Sequence, residues 1–282
     1  NDLPLFQSSW LPKISSPFIL ITSGDVLSVP SDLNKIKPKH FFNKIRSKSF
    51  NPHLLLDNPY LIAWYTQNYD HTIQHKKLRA IPLGMGYRAH ENKDLHGETK
   101  KSAFEQDQQL QKVVADLLPT YSRKFKIFSD THLNNTSSRH QANGIEPRES
   151  VYHTVKDNPL IEFQEKPLPR STQWAKRGTY MFSLSLIGNG FDCHRTIESL
   201  ILGNIVLLQS SPIDPLFEGL PVVIIKDWRD INEENLHLWA LQYEDALTNP
   251  RYREKLTSDY WINKVISEST SKIATESSEY PV

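Results

Sequence analysis

Tyr180-Met-Phe-Ser-Leu-Ser-Leu-Ile-Gly-Asn-Gly-Phe-Asp-Cys-His-Arg-Thr-Ile-Glu-Ser-Leu-Ile-Leu-Gly-Asn-Ile-Val-Leu-Leu208 is the stretch that sets how the whole chain is read. Its apolar opening, Tyr180 to Leu186, has the length and composition of a buried strand. Gly188-Asn189-Gly190 interrupts it, and a helical pattern opens at Asp192, with Thr196, Ile197, Leu200 and Ile201 on one face. Gly203 is a good residue to end that helix, and Ile205 to Leu208 reads as a second buried strand. Strand, glycine loop, helix and strand make a βαβ unit whose loop turns backbone N–H groups towards the start of a helix, an arrangement that holds phosphates. Asp192, His194, Arg195 and Glu198 in the first helical turns are residues that a merely packing helix does not require.

The same alternation continues outwards. Pro17–Thr22, Leu61–Thr66 and Leu78–Leu83 are short apolar runs, each ending in a polar or glycine-rich loop. Asp25 follows the first of them, Asn68, Asp70 and His71 the second, and Gly84 the third; ligands of open α/β sheets collect at such carboxyl ends. Residues 31–50 are basic and read as a solvated amphipathic helix, and residues 1–16 as an irregular lead-in. Ser102–Leu118 is helical up to Pro119. Beyond it come a strand at Lys124–Ser129, a long polar loop over 130–143, a helix led by Pro147-Arg148 and a strand at Leu160–Phe163. Ser171 is placed to cap a helix through Lys176, and Asn232 one that runs to Leu247. The expected fold class is α/β, with two Rossmann-like domains of mainly parallel sheets facing across a cleft. The expected domains are 1–118, with the C-terminal helix 258–282 packing back on it, and 119–257.

Composition narrows the functional classes. Of 282 residues 38% are hydrophobic, with six Trp and twelve Phe, enough for real cores. Thirty-three basic residues nearly balance thirty-two acidic ones, so no global field points to nucleic acid or to a membrane surface. No run has the roughly 18–20 apolar residues of a membrane span. The one cysteine, Cys193, leaves no intrachain disulfide, so a cytoplasmic setting is expected. The sequence opens on Asn1 rather than Met, and a Golgi lumen is the expectation if an anchor was removed upstream. The histidines lack metal-binding spacing and no GxSxG is present, so no metal and no nucleophilic catalysis are expected. The glycine loop matches neither the Rossmann nor the Walker fingerprint. It nonetheless lets backbone approach a diphosphate, with Arg195 supplying charged donors and Glu198 accepting from ribose hydroxyls; a plain surface ion pair between these two is the other reading.

Residues 185–206 resemble the C-terminal signature of exostosin-like glycosyltransferases, a pattern of the form S-P-x-G-x-G-x-D-x-H-R-x-x-E-x-L-x-x-G-x-I-P-V. Trp64–Asn68 leading to Ile81–Gly84, and Leu220–Trp228, are similar to segments of the smaller soluble members, including those of large algal viruses. Leu186 stands where the pattern has proline, and the Pro before the final Val is absent. The resemblance implies a GT-B fold that transfers sugar with inversion and needs no cofactor. The donor is a UDP-sugar, first UDP-xylose, and the acceptor a hydroxyl of an oligosaccharide or glycoprotein. Gly188, Asn189, Gly190, Asp192, His194, Arg195, Glu198 and Arg148 then fall on the donor, and Asn68 and Gly84 on the acceptor side. Asp25 is the expected base, with Asp70 and His71 as alternatives. An epimerase or phosphorylase of GT-B type, or a non-catalytic carbohydrate-binding protein, are the competing expectations.

Overall fold

The computed structural model describes residues 2–23, 26–34, 49–87, 99–131, 133 and 144–277, with side chains beyond 268 described only at 270. Its strands are β1 (Phe18–Thr22), β2 (Leu61–Thr66), β3 (Leu78–Ala80), β4 (Lys124–Ser129), β5 (Ile161–Phe163), β6 (Tyr180–Ser185), β7 (Ile205–Gln209) and β8 (Val222–Ile225). The helices used below are α1 (Pro52–Leu56), α2 (Ala103–Asp116), α3 (Arg148–Val155), α4 (Arg170–Arg177), α5 (His194–Ile201), α6 (Glu233–Gln242), α7 (Glu244–Thr248) and α8 (Ser258–Ser277). The fold is α/β and both of its sheets are wholly parallel.

Contacts divide the chain into two units, 1–83 with 257–282, and 84–256. In the first, β1, β2 and β3 pair in that order, and Trp64 of β2 donates its indole N–H to Thr22 Oγ1 at 2.8 Å. Leu3 and Leu11 reach its core beside Leu55, Leu61 and Trp64, which makes residues 3–13 a set of helical turns and not the irregular lead-in expected. The other face of the sheet takes α8: Val265 packs with Ala63 and Tyr65, and Glu268 accepts from the Tyr65 hydroxyl at 2.5 Å. The basic stretch lies mostly outside the described residues, as does most of the loop after β4.

The second unit orders its strands β5-β4-β6-β7-β8, which is 2-1-3-4-5 counted within the unit, the flavodoxin-like doubly wound order. β6 and β7 are buried at every position and mainly apolar, as central parallel strands require, with Ser183 and Ser185 of β6 facing α5 through hydrogen bonds to Ser199 and Thr196. Pro119 marks the expected boundary after residue 118, whereas the contacts divide at 83/84. The reason is that α2 packs on α4 and α5 through Leu110, Trp174 and Leu202, while a Cβ on Gly178 would sit 2.5 Å from Leu117. Ser102 opens α2 with a full capping box. Two helix limits differ from the sequence reading. Pro169 rather than Ser171 precedes α4, and the helix capped by Asn232 breaks at Tyr243 into α6 and α7.

Candidate functional site

In the 2-1-3-4-5 order the topological switch point lies between β4 and β6, where loops leaving the two carboxyl ends part to opposite faces. Asp130 follows β4 directly, and the glycine loop follows β6. Gly188 and Gly190 are buried and Asn189 is exposed. The loop feeds α5, whose start no side chain caps: Asp192 spends Oδ1 on the Cys193 N–H at 2.8 Å, one residue short of the helix. First-turn N–H groups are thus left for another partner. A hydrogen bond of 3.0 Å between Ser185 and Thr196 fixes the helix against its strand.

Around this point the fold gathers four arginines. Arg195 on α5 donates Nε to Asp130 Oδ1 at 2.5 Å and Nη1 to Cys193 Sγ at 3.4 Å. Arg177, at the end of α4, donates to Asp130 Oδ2 and to Glu198 Oε2, the latter at 3.0 Å. Arg170, two turns earlier on α4, donates to Glu198 Oε1 at 2.7 Å and lies over the Trp174 ring at 4.7 Å. Arg148 opens α3 and donates to the carbonyls of Ile187 and Leu186, at 2.9 and 3.1 Å, directly beneath the glycine loop. A Cβ at Gly188 would meet Arg148 Nη2 at 2.6 Å, so a side chain there would push the guanidinium from its place. Among the described residues Arg170, Arg177 and Arg195 pair with the carboxylates of Asp130 and Glu198, and Arg148 lies beside them on backbone carbonyls.

The electrostatics follow from that arrangement. Burial alone would raise the pKa of Asp130 and of Glu198, but the flanking arginines hold both below their ordinary values. Burial would lower Arg177 and Arg195; the carboxylates outweigh it for Arg177, and Cys193 with Asp130 outweigh it for Arg195. Arg148 goes the other way. Burial and then the like charge of Arg195 lower it to about 10.

Sequence reasoning named Gly188, Asn189, Gly190, Asp192, His194, Arg195, Glu198 and Arg148 for the donor side, and the fold brings them to one end of β6. It did not name Arg170 or Arg177. Their seven-residue spacing, two turns along one helix face, was the available signal. Asp130, the first residue of the polar loop after Lys124–Ser129, links two of the arginines. Glu198, expected to accept from ribose, has both oxygens engaged by Arg170 and Arg177.

In the first unit Asp25 lies outside the described residues. Asp70 is buried and accepts from Ser31 N, Thr72 N and Thr72 Oγ1, which ties the turn after β2. His71, at φ 57°, stacks on Tyr69 with ring centroids 4.0 Å apart. Asn68 is buried at φ 51°, and its carbonyl accepts from Val29 N. Gly84, at φ 75°, groups with the second unit, where its carbonyl meets His194 Nδ1 at 2.8 Å. Among the described residues no helix is long and apolar enough to cross a membrane.

No protein-family model and no curated protein matches the chain. Among solved structures it is similar to a crystal structure of an α1,3-fucosyltransferase with GDP-fucose, at 12% identity over 88% of each chain and a TM-score of 0.36. At that score the likeness is too loose to transfer a residue or a role.

Proposed function

We propose that the chain is a glycosyltransferase of GT-B type that binds a nucleotide-sugar at the switch point of its second unit and passes the sugar to a glycan hydroxyl. The observation that carries this is the gathering of Arg148, Arg170, Arg177 and Arg195 beside a helix start that no side chain caps. Arg195 is held by Asp130 on one side and makes no hydrogen bond through Nη2 to any described residue. A diphosphate is the ligand whose charge and acceptor oxygens answer both features.

In transfer the same groups meet the charge that grows on the departing diphosphate. Arg195 and the backbone N–H groups of the loop and of α5 are oriented before the reaction, so they need no reorganisation as the bond breaks. Inversion requires a base to take the acceptor proton on the opposite face of the sugar. Asp25 is the first choice, with Asp70 and His71 as alternatives. Asp70 is the weaker one, because three donors already occupy it. The resemblance to exostosin-like enzymes favours UDP-xylose as donor and a reaction without metal.

The test is a thermal-shift panel of UDP-, GDP- and CMP-sugars, followed by transfer assays on glycan acceptors. We expect a shift with UDP-sugars, and Asp25→Asn should abolish turnover while the shift survives. No shift with any nucleotide-sugar would overturn the proposal.

A further inference from the structure

The arginine cluster is rich in donors and poor in acceptors. Asp130 Oδ1 holds Arg195, Oδ2 holds Arg177 and Gln173, and the two oxygens of Glu198 hold Arg170 and Arg177. A nucleotide-sugar offers phosphate oxygens that such a cluster answers. It also offers hydroxyl groups that must donate, and these need an acceptor elsewhere.

His194 is the first residue of α5 and the neighbour of Arg195. Its Nδ1 lies 2.8 Å from the carbonyl oxygen of Gly84. A carbonyl can only accept, so Nδ1 carries the proton, and in the neutral ring Nε2 is left with a lone pair. Nε2 makes no hydrogen bond to any described residue. The ring is also clamped. A Cβ on Gly86 would fall 2.8 Å from Cδ2 and 2.9 Å from Cγ, so the imidazole packs where a side chain at 86 would stand. Arg170 fixes that backbone by donating to the Gly86 carbonyl at 3.0 Å, and the same guanidinium holds Glu198. One arginine thus orders both the anion-binding cluster and the histidine beside it. A ring that only tied the loop to the helix would need Nδ1 alone.

We propose that His194 reads a ligand hydroxyl: its Nε2, fixed as an acceptor by the Gly84 carbonyl, takes a hydrogen bond from the ribose or the sugar of the bound donor. This rests on the nucleotide-sugar reading above.

The test measures calorimetric binding of pyrophosphate, UDP and UDP-xylose to the wild-type chain and to His194→Asn. The asparagine amide N–H can still serve the Gly84 carbonyl, but nothing replaces Nε2. Pyrophosphate affinity should be unchanged, while a hydroxyl-bearing probe should weaken about 2- to 12-fold, the loss of one neutral hydrogen bond. A loss that begins at UDP assigns the ribose; one that appears only with UDP-xylose assigns the sugar. Gly86→Ala is the second variant, because it keeps the imidazole but pushes the ring and its Nε2 out of position, and it should give the same pattern. Equal affinities for all three probes in both variants would overturn the role of His194 and leave the donor site standing. A wild-type chain that binds none of the probes would overturn both.

Discussion

Each unit has an arginine joined to a carboxylate, and the two arrangements are built to different ends. In the first, Arg79, Tyr65 and Glu268 share hydrogen bonds at the contact between β2 and α8, with Arg79 and Glu268 26% and 32% exposed. In the second, Arg177 is 2% exposed, and Asp130 and Glu198 are 11% exposed. Water screens the first arrangement, which fastens a helix at little cost and to modest effect. The second forfeits the hydration of several ions, and apolar packing would often stabilise the same space as well or better. What apolar packing cannot supply is a set of guanidiniums held in fixed directions. The contrast separates charge used for fastening from charge used for aim.

The largest expected effect comes from removing the counterion that two buried arginines share. Asp130→Asn should destabilise the second unit by about 3–5 kcal/mol in urea unfolding. A cost below about 1 kcal/mol would mean that water screens the network as it does a surface pair. The acid limb of stability should change with it. Asp130 and Glu198 have pKa values lowered from 3.8 and 4.5, so below these the unfolded chain binds more protons than the folded one. Their contribution is complete above that range and is lost as pH falls through the lowered values. Acid unfolding of the variant should be visibly shallower. Next in size, Arg195→Ala should weaken UDP binding by about 1.5–3 kcal/mol, the worth of a charge-assisted bond, and calorimetry that finds no change would remove Arg195 from the donor site. Smallest is Glu268→Gln, with a cost of about 0.2–1 kcal/mol in the same urea assay. Tyr65, pushed up to about 12 by burial and then by Glu268, should titrate lower in that variant, as a phenolate absorbance titration against Tyr65→Phe would report.

The parts of this fold that are local were legible. The strands β2, β6, β7 and β8 are mainly apolar runs bounded by breakers, β4 alternates Lys with Phe and Ile, and Ser102 and Asn232 announce their helices by side-chain chemistry. The glycine loop, Arg195 and Arg148 were legible because a residue type and a helix start coincide. The ties between them were not. Arg177 reaches Asp130 over 47 positions and Glu198 over 21, and nothing in the spacing of one sequence fixes such a meeting. Strand order decides it, by placing β4 next to β6. For the same reason Glu198 could be read as a ribose acceptor: the sequence shows that a carboxylate is present, but not that two arginines already occupy it.

The return of α8 to the sheet of the first unit has a consequence for how the chain is made. Tyr65 and Glu268 are 203 positions apart, and the whole second unit lies between them. On the ribosome, residues 84–256 emerge with strands β4 to β8 before the helix that closes the earlier sheet has been synthesised. Domains ordinarily mature from the N-terminus as they emerge. Here the unit that begins first is completed last, and β2 must wait with an apolar face uncovered while the inserted unit folds.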